Sequence, residues 1–432
     1  MSPQESVVPV RALNGVVSLP EHAVLKPLLP ELYEEAADLL PEAVFPTTRT
    51  EDWKYTRTTR ISSQNWKWSE ATEYDWKQYL IPDADAHVFV FINGWFVASQ
   101  SHALSGKGWK ASSLKDFNAA LQPALENTIG ASKRFREDVF ELMGITHCQD
   151  GIVIDIDEDA APEKPFHIIL VNGGNSTVAQ PRVAVRLGRN ASAEMWITHS
   201  GQSGDASFMN ALVDIKQGEG SRLEYCKLQE EADSSFVVCR ERIVQDRNSL
   251  SNVVTCTLRG GWIRNDLDMI LQGESIEANL SGFYAPRKKQ HIDNHTLVDH
   301  LYPNCNSNEL YKGVVFDQGR AVFNGKVFVR YQAQKTNAYQ SNANLTMSDD
   351  AIVNSKPELE IYADDVKCSH GSTTGQMDED AVFYLRARGL DEQSARKLLA
   401  SAFLGDVEEK IGHLALREHV KMRMVEEGVM ID

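Results

Sequence analysis

Two periodicities divide the chain. In the stretch opening at Pro30, apolar residues recur every three to four positions, with Leu32, Ala36, Leu39 and Leu40 on one helical face; Phe135, Val139, Leu142 and Met143 repeat the pattern further on. Proline at the first helical position is the expected start signal. Between these helices His87 to Val97 is rich in Val, Phe and Ile and reads as a strand broken by Asn93 and Gly94. Residues 1–150 are thus expected to form a mixed, mostly helical N-terminal domain.

From about Gly151 the pattern changes to short Val-, Ile-, Thr- and Tyr-rich segments separated by Gly, Asn, Asp and Ser, and it holds to about residue 377. A turn-like unit recurs, led by Leu187, Ile215, Val244, Leu271, Phe316 and Met347, with steps of 28, 29, 27, 45 and 31 residues. That period suits a β-solenoid coil, which cannot bury its apolar face alone and must stack. A β-sandwich would also give regular short strands. The long step holds the polar segment His291 to Tyr311, read as an elaborated loop.

Helical spacing returns in residues 378–432. Ala395, Leu398, Leu399, Ala402 and Phe403 form a stripe that begins just after Asp391, a good N-cap. Gly405 is expected to end that helix, with Asp406 and Glu409 as a capping box for a second helix carrying Val407, Ile411 and Leu414 on one face. Two short helices on a solenoid make little core of their own, so they are expected to cap its open end, dock a partner, or both.

Composition narrows the function. A net charge of −17 would repel a phosphate backbone, and the densest basic cluster is Arg287, Lys288 and Lys289, so nucleic acid is not an expected partner. No run of 18 apolar residues exists to span a bilayer, and the start lacks the order of a signal peptide, so a cytoplasmic chain without a membrane partner is expected. The six cysteines are scattered without a Cys-x-x-Cys pair, which leaves no self-contained cluster or zinc site.

The segment Asp364-Asp365-Val366-Lys367-Cys368-Ser369-His370-Gly371 carries the clearest chemistry. On a strand, Val366, Cys368 and His370 share one side, which brings a thiol and an imidazole onto one surface at a spacing suited to soft or borderline metals. The bland reading is a buried thiol beside a satisfied histidine. A second cluster, His291, Asp293, His295, Asp299 and His300, offers metal or proton chemistry but matches no motif of fixed mechanism. The run Gln334, Thr336, Asn337, Gln340, Asn342 and Asn344 suits side-chain ladders between coils. The nearest phosphate loop, Gly319 through Gly325-Lys326, has the wrong glycine spacing and Val327 where Ser or Thr is needed, so no ATP site is expected.

Six sequence words carry a family resemblance. They are Arg49-Thr50-Glu51-Asp52-Trp53-Lys54-Tyr55-Thr56, Asn294-His295-Thr296 with His300, Ser307 through Gly313, Lys356 through Ile361, Asp365 through Gly371, and Phe383 through Gly389. Together they resemble the SufB and SufD family of iron-sulfur cluster assembly proteins, on its SufD side. The resemblance implies a right-handed parallel β-helix flanked by N- and C-terminal helical domains, with no enzymatic activity of its own. It further implies a complex with SufB, paired through the β-helix, and with the ATPase SufC, docked on the C-terminal helices at about Asp391, Leu398, Leu399, Ala402, Phe403 and Val407. His370, with Cys368 as its companion, would face SufB as a ligand or assembly residue for an iron-sulfur cluster held transiently between the chains and passed to apo iron-sulfur proteins. A flavin is a candidate electron source in such a complex. Two rival readings are a purely structural partner of SufB and a β-helix enzyme acting on polysaccharide, which would need paired carboxylates on an exposed face.

Overall fold

The computed structural model describes residues 24–69, 74–129, 138–201, 204 and 206–431. Its body is a solenoid of about eight turns built from two sheets that alternate along the chain. The first sheet runs through Asp150–Ile156, Pro181–Leu187, Ser207–Gln217, Ser235–Gln245, Trp262–Leu271, His291–His300, Arg320–Val329 and Ile352–Ile361. The second runs through Phe166–Asn172, Ser192–Gly201, Arg222–Glu230, Leu250–Arg259, Glu277–Tyr284, Asn306–Val315, Asn337–Thr346 and Lys367–Gln376. These strands pair in parallel, each with the strand one coil away, and partners lie about 30 residues apart, as in Ser192 opposite Arg222 and Asn337 opposite Lys367. The sandwich reading is excluded, because a sandwich pairs strands antiparallel within each sheet.

Alternation explains how the coils bury their apolar faces. In the first sheet Val237, Cys239 and Ile243 project into the space between the sheets; in the second, Leu223, Tyr225 and Leu280 do so. The chain turns at left-handed corner residues stacked one above another: Asn190 (φ 55°), Gly220 (φ 69°), Asn248 (φ 58°) and Asn304 (φ 62°). Each corner amide donates to a carbonyl of the next coil, as Asn190 N does to Glu219 O at 2.8 Å and Asn248 N to Glu274 O at 2.9 Å. Asparagine and glycine tolerate that backbone, which is why they punctuate the sequence.

These corners also correct the repeat phase. Leu187, Ile215, Val244 and Leu271 lie at the ends of strands of the first sheet, but Phe316 and Met347 follow strands of the second. Asp317 (φ 49°) marks an opposite corner with the same apolar-then-polar signature. The 45-residue step is therefore one coil and a half, and His291 to Tyr311 holds a full strand, a corner and most of a second strand rather than a loop.

Helices cover the outer face of each sheet. α1 (Pro30–Leu39), α2 (Thr59–Ser62), α3 (Gln122–Thr128) and α4 (Val139–Thr146) belong to the N-terminal part. Leu32 and Ala36 of α1, Leu125 of α3 and Phe140 of α4 pack with Val153, Phe208 and Trp262 on the back of the first sheet. Phe135 lies outside the described residues. The predicted strand at His87 is a hairpin of His87–Ile92 and Trp95–Phe96, turned by Asn93 (φ 51°) and Gly94 (φ 85°), and it extends the second sheet.

At the C-terminus are α5 (Glu379–Arg386), α6 (Glu392–Glu408) and α7 (Leu414–Glu426). Asp391 caps α6 as expected, accepting from Ser394 N at 2.9 Å. α6 does not stop at Gly405. An interior glycine costs only about 1 kcal/mol, and Ala400, Leu404 and Val407 are all wholly buried against the second sheet beside Val314 and Phe283, so packing carries the helix on to Glu408. Asp406 is then a helix residue, paired with Lys312 at 2.6 Å, and not a cap. α6 and α7 lie along the flank of the solenoid and leave its last coil uncapped.

Candidate functional site

The last coil is built from Ile352–Ile361 and Lys367–Gln376, which are the terminal strands of the two sheets. Among the described residues nothing pairs with their outer edges, so two ten-residue rows of backbone donors and acceptors end the molecule. Every residue of Lys367–Gln376 except Cys368 is exposed, whereas the strand beneath it buries alternate positions.

Parallel register fixes which way this coil's side chains point. Ala338, Gln340, Asn342 and Asn344 are buried toward the interior, and their partners on the last strand are Cys368, His370, Ser372 and Thr374. Residues paired in a parallel ladder project to the same side. Cys368 and Val366 pack on the end of the apolar core, and Ser372 Oγ meets Ser355 Oγ at 2.7 Å across the coil. Cys368 and His370 therefore lie side by side in the interior column of a coil that has no roof. Burial pushes the Cys368 thiol above its ordinary pKa, so the half-buried sulfur is kept as a thiol.

Behind this coil the interior is polar. Glu309 is wholly buried and accepts from Thr296 Oγ1 and, at 2.6 Å, from Gln340 Nε2. Burial drives its carboxyl up to about 7 against the pull of those two donors. Asn342 Nδ2 donates to Tyr284 OH at 3.0 Å and Tyr284 OH to Asn344 at 2.6 Å, and Asn337 bonds Asn306 at 2.8 Å, so the ladder expected between Gln334 and Asn344 forms in part; Thr336 instead donates to Ala333 O within its own corner. Further inside, Lys227 is enclosed by Glu241, Asn265 (3.2 Å) and Cys239 (3.8 Å). Sequence reasoning missed Glu309 and Lys227. Alternation in Leu223, Tyr225, Lys227 and Gln229 was the available signal, since it puts a lysine on the face of a core leucine.

The histidine cluster is divided by the pleat. His291, Asp293, His295 and Asp299 face outward, while His300 faces in and meets Ser307 Oγ at 2.9 Å. Asp293 pairs with Arg264 (2.9 Å) and His295 (3.0 Å), Asp299 with Arg330 (2.9 Å), and His291 Nε2 with Thr56 Oγ1 (2.9 Å). Burial lowers His291 and His300 to about 4, so both are neutral. For Asp293 burial is opposed and overcome by Arg264 and His295, which hold it well below the usual carboxylate range. Among the described residues no group of His, Cys, Asp and Glu is arranged to hold a metal. The cluster instead receives the Arg49–Thr56 segment: Arg264 donates to Asp52 O at 2.8 Å and lies 4.3 Å from the Trp53 ring.

On the C-terminal helices, Asp391, Leu398 and Ala402 are exposed, Leu399 and Phe403 half-buried, and Val407 wholly buried. Val407 thus holds α6 to the sheet and offers no side chain to a partner. Phe383, Tyr384, Leu414 and Met422 add exposed apolar surface on α5 and α7. Among the described residues no helix is long and apolar enough to cross a membrane.

Comparison with known sequences gives a consistent result along the chain. Residues 169–403 match the family described as SUF system FeS cluster assembly, SufBD core domain, and residues 21–168 match the SufBD protein N-terminal region. The chain is 30% identical to the iron-sulfur cluster assembly protein SufD of Escherichia coli, with 88% of each chain covered. It is 29% identical to an iron-sulfur cluster assembly SufBD family protein of Synechocystis over 89% of this chain and 88% of that one. A Mycobacterium tuberculosis SufBD family protein is 30% identical over 62% of this chain and 68% of its own.

Proposed function

Because this chain belongs to the SufBD family of iron-sulfur cluster assembly proteins and is a homologue of SufD, we propose that it is a non-catalytic scaffold that completes a cluster-building site with SufB. The observation that carries the reading is the unroofed last coil, in which Cys368 and His370 lie between two unpaired ten-residue edges. Such edges take up strands of another chain through main-chain hydrogen bonds. One thiol and one imidazole are too few to hold a cluster, so a second polypeptide must bring the remaining ligands. His370 is the ligand offered to iron, and Cys368, with its raised pKa, is the weaker candidate.

In this reading SufC docks on the exposed apolar residues of the C-terminal helices, Leu398, Phe383 and Tyr384 among them. ATP-driven pairing of SufC subunits then strains the helices against the sheet they lie on and shifts the shared interface, exposing the ligands to iron and sulfide. A site divided between chains releases its cluster when the interface moves, which suits transfer to apo proteins. Six free cysteines fit a reducing cytoplasm. A flavin supplying electrons would bind elsewhere in the complex.

The test is His370→Ala in the complex reconstituted with SufB and SufC under anaerobic conditions. The expected result is an unchanged subunit ratio with most of the iron and sulfide lost. Full retention of both would reject the ligand role and leave a purely structural partner. Leu398→Glu should lower SufC capture without changing pairing with SufB.

A further inference from the structure

Gln340 occupies the position directly beneath His370 in the interior column, one strand spacing away, or about 4.8 Å. It is only 4% exposed, and its two amide ends are in different situations. Nε2 donates to Glu309 Oε2 at 2.6 Å, while Oε1 is buried and has no hydrogen-bond partner among the described residues. Glu309, taking a donor on each oxygen from Thr296 and Gln340, fixes which end of the amide faces it. Across the coil, Gly325 makes the space for this arrangement: a Cβ there would collide with Nε2 and Cδ of Gln340. A side chain placed this deliberately, with a desolvated carbonyl left over, is short of one donor.

We infer that Gln340 is a positioning residue for His370, its free carbonyl accepting one imidazole N–H and thereby leaving the other ring nitrogen unprotonated at the open end of the coil. His370 stands directly above Gln340 in the interior column, on the terminal strand of its sheet. An imidazole that binds a metal through one nitrogen and donates from the other to a carbonyl is oriented and made more basic by that bond. The relay runs Thr296, Glu309, Gln340, His370. It assigns a task to Ser307 through Gly313 and to the amide run, which neither family membership nor ladder stacking explains.

This inference rests on the reading of His370 as a ligand, and the experiment separates the two. Ring nitrogen chemical shifts of 15N-histidine-labelled full chain, recorded at about pH 8 and assigned with His370→Ala, report the tautomer of His370 without any metal. Wild type should hold one tautomer predominantly. Gln340→Met, which keeps the length and removes the acceptor, should move the ratio toward that of free histidine. Glu309→Gln should do so partly, by allowing the amide to turn over. Ferrous ion binding by the reconstituted complex should weaken about 10- to 100-fold in Gln340→Met. An unchanged tautomer ratio in both folded variants overturns the positioning role. A shifted ratio with unchanged iron binding upholds it and overturns the ligand reading instead.

Discussion

At its N-terminal end the solenoid is closed by aromatic residues. Phe89, Phe91, Trp109 and Phe166 fill the space between the sheets, with Trp109 and Phe166 edge-to-face at 5.0 Å. The sheets finish there in antiparallel two-residue strands, Ser105–Gly106 and Trp95–Phe96, which leave almost no edge to pair. At the other end the interior is lined by Gln340, Asn342, Ser355, His370 and Ser372, and two full-length edges stand open. The same coil geometry thus serves two purposes. At the closed end the interior positions are apolar and the edges short; at the open end polar residues join the interior and the edges run the full length of the strands.

The contrast is tested most severely by Trp109→Ala, which should cost about 3–5 kcal/mol in denaturant unfolding. His370→Ala should change stability by less than about 0.5 kcal/mol. Equal losses would erase the distinction between the ends. Next in size, Arg264→Met removes one cation from Asp293 and Asp266 on the outer face, leaving them His295 and Arg240, and should cost about 3 kcal/mol because Asp293 is wholly buried. Asp266 also sets an acid limit. Burial alone would raise its pKa, but Arg240 and Arg264 overcome this and bring it down to about 2. A depressed carboxylate stabilises the fold above its ordinary pKa of 3.8 and loses that contribution as pH falls toward 2. Thermal unfolding measured from pH 5 downward should show this loss, and Arg264→Met should blunt it. The smallest effect is one of dynamics. Amides of Lys367–Gln376 should exchange with solvent far faster than those of Asp150–Ile156, and adding the partner should slow the former alone.

The solenoid was legible because corner residues such as Asn190 and Asn248 interrupt apolar runs at a steady interval. Its phase was not, since Asp317 at the opposite corner carries the same signature. Cys368 and His370 were legible as a same-side pair because strand alternation is local. That their coil lacks a roof was not, because the coil's exposure depends on where stacking stops. Val407 was placed on the docking surface by the resemblance, and its helical face, shared with Ile411 and Leu414, does not say what that face packs on. Glu309, a charged residue between Asn308 and Leu310, was not singled out, because only the register between coils puts it inside. The outward cluster looked like a ligand set for a similar reason: Thr56, which meets His291, and Arg264, which pairs with Asp293, are distant in sequence.

The helices make their main contacts with the strands Leu250–Arg259, Glu277–Tyr284 and Asn306–Val315, and Leu345 of the next strand packs against the cluster of Met377, Val382 and Ala395. Distance along the body is therefore counted in whole coils of about 4.8 Å each. One such spacing separates the last of these contacts from the open end. Inserting or deleting one coil would lengthen or shorten the body by that fixed step, so its reach is set by repeat number.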